Sequence, residues 1–246
     1  MKKHLKRIWK KLMVPILKLY TKNPNLIVSN ELQTYDSKTY SQFGQDLFVL
    51  EHIFKNKSDG FFVDIGGNHP THCSNTFLLE QKGWNGIALE PQASLRELWK
   101  DVRKTPCLPY AIGPENKIVT FIEGLEEDGL SGLEGHNKVT KSSHTIQVEQ
   151  ITLSELAQRQ NITHIDYLSI DVEGYEMEVL KGIDFSKIDI TVIGIENDIA
   201  FHWIPIIGKK IGAELGSNVL RKYIMSRGYT YIGRMMCDDF FVKNDR

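Results

Sequence analysis

The chain has 246 residues, 41% of them hydrophobic and 25% charged, which excludes a collagen-like repeat or wholesale disorder and leaves room for a sizeable core. Its 30 Lys and Arg nearly balance 31 Asp and Glu, but residues 1–24 hold eight of the bases and no acid. The other 222 residues therefore carry 22 basic against 31 acidic side chains, a charge of −9 that argues against a nucleic-acid partner.

In the N-terminal arm, Leu5, Ile8, Trp9, Leu12, Met13 and Ile16 recur at spacings of three and four, and six Lys and Arg fall mostly off that stripe. This is the pattern of a helix lying on an anionic membrane surface through residues 1–20, or of one packed on the domain body or a partner subunit. Pro15 kinks or ends it near Val14. Asn23-Pro24-Asn25 reads as a turn and the polar stretch to Thr39 as a linker, so residues 1–40 form an arm and residues 41–246 one domain. No run of ~18 apolar residues is present to cross a bilayer. The apolar stretch Leu12–Leu17 is too short for a secretory leader. Cys73, Cys107 and Cys237 form neither a zinc pair nor an even disulfide framework, so a cytoplasmic location is expected, at the membrane surface if the arm binds there.

From Ser41 on, helix-like and strand-like patterns alternate. Gln45–Phe54 has helical spacing, and Phe61–Ile65 is a short buried strand running into Gly66-Gly67. A helix over Asn75–Lys82 is capped by Gly83, a strand follows at Gly86–Leu89, and Gln92–Val102 returns to helix. Cys107–Ile112 reads as a third strand and Ile118–Ile122 as an addition at the sheet edge. Residues 123–145, polar and glycine-rich, read as a long surface loop. Thr152–Gln160 is a helix with Thr152 or Ser154 near its N-cap. Tyr167–Ile170 is a strand, Glu176–Leu180 a helix stopped by Gly182, and Ile190–Ile195 a strongly apolar strand. A helix over Ser217–Ser226 precedes a terminal hairpin of Tyr229–Ile232 and Asp239–Val242. Alternation of this kind predicts an α/β fold, a mostly parallel sheet with helices on both faces.

Four strands end in polar segments: Asp64-Ile65-Gly66-Gly67-Asn68, Glu90, Asp171 and Glu196-Asn197. Ligands of open α/β sheets bind at such carboxyl ends. The glycines let a ligand approach the backbone where strand turns to helix. The segment is not G-x-G-x-x-G, which disfavours a pyrophosphate-bearing dinucleotide. Glu90, 23 residues beyond Gly67, is placed to accept bonds from two ribose hydroxyls.

Several segments resemble the FkbM-type methyltransferase family. They are Ser41-Gln42-Phe43-Gly44-Gln45-Asp46, Phe62-Val63-Asp64-Ile65-Gly66-Gly67-Asn68, Ser74-Asn75-Thr76, Gly83-Trp84-Asn85-Gly86-Ile87 with Glu90-Pro91, and Ile170-Asp171-Val172-Glu173-Gly174-Tyr175-Glu176-Met177-Glu178-Val179-Leu180. The resemblance runs from Ser41 to Val242. It implies a Rossmann-like class I methyltransferase domain, with a seven-stranded mostly parallel sheet whose last strand is antiparallel. It also implies S-adenosylmethionine as cofactor, S-adenosylhomocysteine as product, and O-methylation of a sugar, glycan or small natural product. By the same resemblance Asp64, Gly66, Gly67 and Asn68 line the methionine end of the cofactor, Glu90 holds the ribose, Ala111 and Ile112 flank the adenine, and Asp171 faces the reacting centre. Gln45 and Asn75 are further cofactor candidates. The His69-Pro70-Thr71-His72 turn departs from the plainer family pattern.

An acceptor hydroxyl must lose its proton, and three arrangements would serve. Asp171 or Glu173 is the base; or His69 or His72 is, each beside the cofactor turn; or Asp171, Glu196 and Asn197 hold Mg²⁺. The last follows from adjacent parallel strand ends lying ~5 Å apart and from the preference of Mg²⁺ for oxygen ligands. His202-Trp203 and the 123–145 loop are expected to shape the acceptor pocket, with His136 and His144 solvated. A membrane-recruited, non-catalytic scaffold with a methyltransferase-like fold is the alternative. A nicotinamide dehydrogenase lacks a Tyr-x-x-x-Lys pair here.

Overall fold

The computed structural model describes residues 39–124, 131–135, 142–197, 219–235 and 237–245. The amphipathic arm and the His202-Trp203 segment lie outside the described residues. So does His136.

Near-continuous burial along the central strands sets the architecture. Strands β1 (Phe61–Ile65), β2 (Asn85–Leu89), β3 (Cys107–Leu108), β8 (His164–Ile170), β9 (Asp189–Glu196), β10 (Tyr229–Met235) and β11 (Asp238–Lys243) form a seven-stranded sheet in the order β10-β11-β9-β8-β1-β2-β3. Pairing is parallel from β9 through β8, β1 and β2 to β3; β11 runs antiparallel to both β9 and β10, so the sheet is mixed. β10 and β11 make the expected terminal hairpin.

One face of this sheet presents Phe62, Tyr167, Val192 and Phe240 to Leu47, Leu50, Leu78 and Leu79. The other presents Val63, Ile65, Leu168, Ile170, Ile193 and Phe241 to Leu153, Leu156, Val179, Leu180 and Ile224. Both faces are thus covered by helices, as strands that are apolar on both sides require. The first face is covered by α1 (Gln45–Leu47), which continues as a π-helical turn over Phe48–Ile53, and by α2 (Phe77–Gln81). The second is covered by α4 (Leu153–Gln160), α5 (Glu176–Lys181) and α6 (residues 219–225). Helix α3 (Ala93–Val102) buries only Trp99. The Thr152 cap forms as the sequence predicts, its Oγ1 accepting from the Glu155 amide at 3.0 Å.

Three expectations change. The strand expected over Cys107–Ile112 breaks at Pro109 into β3 on the main sheet and β4 (Tyr110–Ile112) on a second one, because proline has no N–H for the ladder. The strand near Ile118–Ile122 is no edge addition. As β5 (Lys117–Gly124) it pairs with β7 (Ser142–Ile151) and β6 (Gly132–Leu133), giving a four-stranded sheet in the order β4-β7-β5-β6. The segment read as a loop over 123–145 therefore contains the end of β5, all of β6 and the start of β7. Its residues 125–130 and 136–141 lie outside the described residues. Exposed His144 pairs with Glu123 across this ladder.

Candidate functional site

Strand β1 ends in a turn that only glycine fits. Gly66 has φ +85, and a Cβ there would lie 1.8 Å from the backbone oxygen of Asp171. A Cβ on Gly67 would come within 2.9 Å of Trp99 Cζ2. The glycines thus serve first the close approach of β8 and the Trp99 ring, and only then any ligand. The turn is tied by the Gly66 and Gly67 amides to the Leu89 carbonyl at 3.0 Å each, and by Trp99 Nε1 to the Asn68 carbonyl at 2.8 Å.

Glu90 follows β2 and is 5% exposed. Its two oxygens accept from the Asn68 amide at 3.0 Å and the Gln92 amide at 2.8 Å. Burial nevertheless pushes its carboxyl up to about 7, with nearby Asp64 adding to the rise. Each oxygen keeps a lone pair for a ligand hydroxyl, the arrangement a ribose diol needs.

The cleft at the turn is lined by Gly66, Asn68, Glu90, Ala111 and Ile112 and by Asp171, Val172, Glu173 and Tyr175. Phe121, Gly132 and Leu133 of the second sheet, with Ser131 just before β6, also line it. Ser131, Gly132 and Leu133 fall in the 123–145 segment expected at the acceptor pocket; Phe121 was missed, although the β-pattern near Ile118–Ile122 was legible, because no pattern says which sheet a strand joins. Among the described residues that line the cleft there are three carboxylates and no Lys, Arg or His.

The Asp-Val-Glu-Gly segment forms a tight turn after β8, with Glu173 at φ +55 and Gly174 at φ 106. Asp171 is partly exposed but crowded by protein. That desolvation, reinforced by Glu173, Asp238, Glu176 and Asp64, holds its carboxyl well above the carboxylate range. Ile170 pairs with Ile195, so Asp171 and Glu196 leave neighbouring strands side by side as the spacing predicted. Glu173 joins this pair. Asn197 Nδ2 donates to buried Asp239 at 2.7 Å, whereas oxygens of Asp171, Glu173 and Glu196 all lie within 4.8 Å of one another. A charged network competes for Asn197, since Asp239 also receives Arg221 at 2.8 Å.

Gln45, Asp64, Gly67 and Asn75 are not among the cleft-lining residues. Gln45 Nε2 donates to Asp238 at 2.5 Å, and burial brings that carboxyl up to about 6. Asn75 Nδ2 donates to Ser169 at 3.4 Å, and Asp64 Oδ2 accepts from Thr76 Oγ1 at 2.6 Å. The histidines are outside the lining as well. His69 Nδ1 accepts from the Thr71 and His72 amides at 3.2 and 3.0 Å, which puts the proton of the neutral ring on Nε2 and leaves no basic nitrogen free. Burial and the neighbouring His72 lower the His69 pKa. Exposed His72 contacts Cys73 Sγ at 4.0 Å. The structure thus assigns His69 to bracing the turn.

A comparison with curated protein sequences finds no match. A comparison with protein families matches residues 64–230 to the family described as Methyltransferase FkbM domain.

Proposed function

Because the chain belongs to the FkbM methyltransferase family, we propose that the cleft binds S-adenosylmethionine and that a hydroxyl of a sugar, glycan or small natural product receives the methyl group. The observation that carries the cofactor reading is the cleft wall: Glu90, Asp171 and Glu173 with no basic side chain among the described residues. Such a wall repels a pyrophosphate and attracts a cation. The strand order, with one antiparallel strand inserted next to the edge, supports a Rossmann-like class I methyltransferase sheet.

When bound, the cofactor supplies a methyl group on a sulfonium and departs as S-adenosylhomocysteine. The chain does the rest. Glu90 accepts the ribose hydroxyls, Ala111 and Ile112 together with Phe121 and Leu133 enclose the adenine, and the Gly66-Gly67-Asn68 turn faces the methionine end. Asp171 takes the acceptor proton: a carboxyl held above its ordinary range is a competent base near neutral pH. Glu173 stands beside it and adds to that rise.

A second reading rests on the convergence of Asp171, Glu173 and Glu196. Their hard oxygens fit a divalent cation such as Mg²⁺, which would lower the hydroxyl pKa directly. Calorimetry followed by transfer of labelled methyl from S-adenosylmethionine into a glycan extract tests both. Binding of S-adenosylmethionine without binding of NAD(P) is expected. Undiminished transfer in EDTA removes the metal, and failure of either adenosyl ligand to bind removes the enzyme in favour of a non-catalytic scaffold.

The arm's basic stripe supports a peripheral contact with anionic lipid that holds the enzyme near membrane-borne acceptors. A chain starting at Ser41 is expected to keep cofactor affinity and to lose sedimentation with phosphatidylserine vesicles. Equal sedimentation of both chains overturns the tether.

A further inference from the structure

Asp64 is 4% exposed, two residues before Gly66, and the proton-transfer chemistry above leaves it without a role. Its partners fix its state. Arg103 has a fully buried side chain that donates Nε to Glu80 at 2.7 Å, Nη1 to the Pro70 carbonyl at 2.8 Å and Nη2 to Thr76 Oγ1 at 3.3 Å. The guanidinium also stacks over the Trp99 ring, 4.4 Å from its centroid. A guanidinium only donates, so Thr76 Oγ1 accepts from it and directs its single proton to Asp64 Oδ2, 2.6 Å away. Ser169 sits in register with Asp64 on β8 and bonds to it as well.

We propose that Thr76, oriented by Arg103, is a positioning residue that keeps Asp64 an ionised acceptor beneath the glycine turn, where its charge attracts the cationic methionine end of the cofactor. The assignment rests on the reading of the cleft as an S-adenosylmethionine site. It also gives the Ser74-Asn75-Thr76 segment a purpose: Ser74 Oγ accepts from the Phe77 amide at 3.1 Å to start α2, Asn75 holds Ser169, and Thr76 holds Asp64.

The charged and titratable groups that interact with Asp64 are Arg103 just after α3, Glu90 just after β2, Cys107 on β3, Tyr167 on β8 and Asp171 just after β8. Burial raises the Asp64 pKa, while Thr76, Arg103 and Ser169 oppose the rise. Loss of the Thr76 hydroxyl lifts the pKa further, so Asp64 protonates as pH falls and its attraction for a cation disappears.

The test is calorimetric titration of the full chain with S-adenosylmethionine between pH 6 and 8. Because Glu90 titrates at about 7, the quantity read is the ratio of the variant's dissociation constant to the wild type's at each pH. For Thr76→Val and Thr76→Ala the ratio is expected to grow as pH falls, by up to about tenfold, the worth of a hydrogen bond to a charged group. Thr76→Ser restores wild-type behaviour, and in an Asp64→Asn background Thr76→Val adds nothing. A ratio independent of pH, or an equal effect of Thr76→Val with Asp64 already replaced, overturns the assignment even where the fold is slightly destabilised. Wild-type protein that does not bind S-adenosylmethionine overturns the cofactor reading first, and this assignment with it.

Discussion

Asp171→Asn is expected to lower kcat for methyl transfer by about 10³-fold, within the range general-base catalysis supplies, while the dissociation constant for S-adenosylmethionine moves by no more than a few-fold. The asymmetry follows from position. Asp171 leaves β8 beside Glu196, shares its surroundings with Glu173 and lines the same cleft as Glu90. The amide keeps the size and hydrogen-bonding reach of the acid but cannot accept a proton. The pH profile carries the same signature. Burial and neighbouring carboxylates raise the Asp171 pKa, so the base is protonated and idle at low pH, and the rate climbs as pH rises through that pKa. In Asp171→Asn this limb disappears. A variant that retained both kcat and the limb would move the base elsewhere.

Glu90→Gln is expected to abolish cofactor binding and, in the ligand-free protein, to raise stability at pH 8 by about 1 kcal/mol. The folded-state carboxyl sits at about 7 against an ordinary 4.5, so ionising it inside the fold costs about 3 kcal/mol relative to the unfolded chain. For a carboxyl raised in this way the penalty is absent below pH 4.5 and complete above pH 7. Asp238, raised to about 6, acts in the same direction. Ligand-free protein should therefore melt higher at pH 5 than at pH 8 so far as these two groups decide it. The glutamine removes the charge but sets its amide NH₂ against one of the two backbone N–H donors from Asn68 and Gln92, which consumes part of the gain. Thermal melts with and without S-adenosylmethionine read both effects. A lower melting temperature for Glu90→Gln at pH 8 would mean that the acid is structural and not held in strain for a ligand.

Much of the fold was legible because its signals are local. Apolar runs at Phe61–Ile65 and Ile190–Ile195, glycine stops and the Thr152 cap each depend on a few neighbouring residues, and outside the second sheet and the break at Pro109 the described strands and helices form within a few residues of the expected bounds. The acids at the strand ends were legible too, since a parallel sheet brings consecutive strand ends to one edge whatever the details. Glu90, Ala111, Ile112, Asp171 and Glu173 do meet in one cleft.

What the sequence by itself determined, then, was the alternation of elements, the one edge on which the acids gather and the family that the motifs resemble, for these rest on periodicity and on contiguous segments. Only the tertiary structure decided partnership. Which sheet receives β5, that Asn197 Nδ2 reaches Asp239, and that Thr76 reaches Asp64 while Arg103 reaches Thr76 are contacts between residues far apart along the chain. A side chain's protonation and direction follow from the groups packed around it, and those are chosen by the fold, not by its neighbours in sequence.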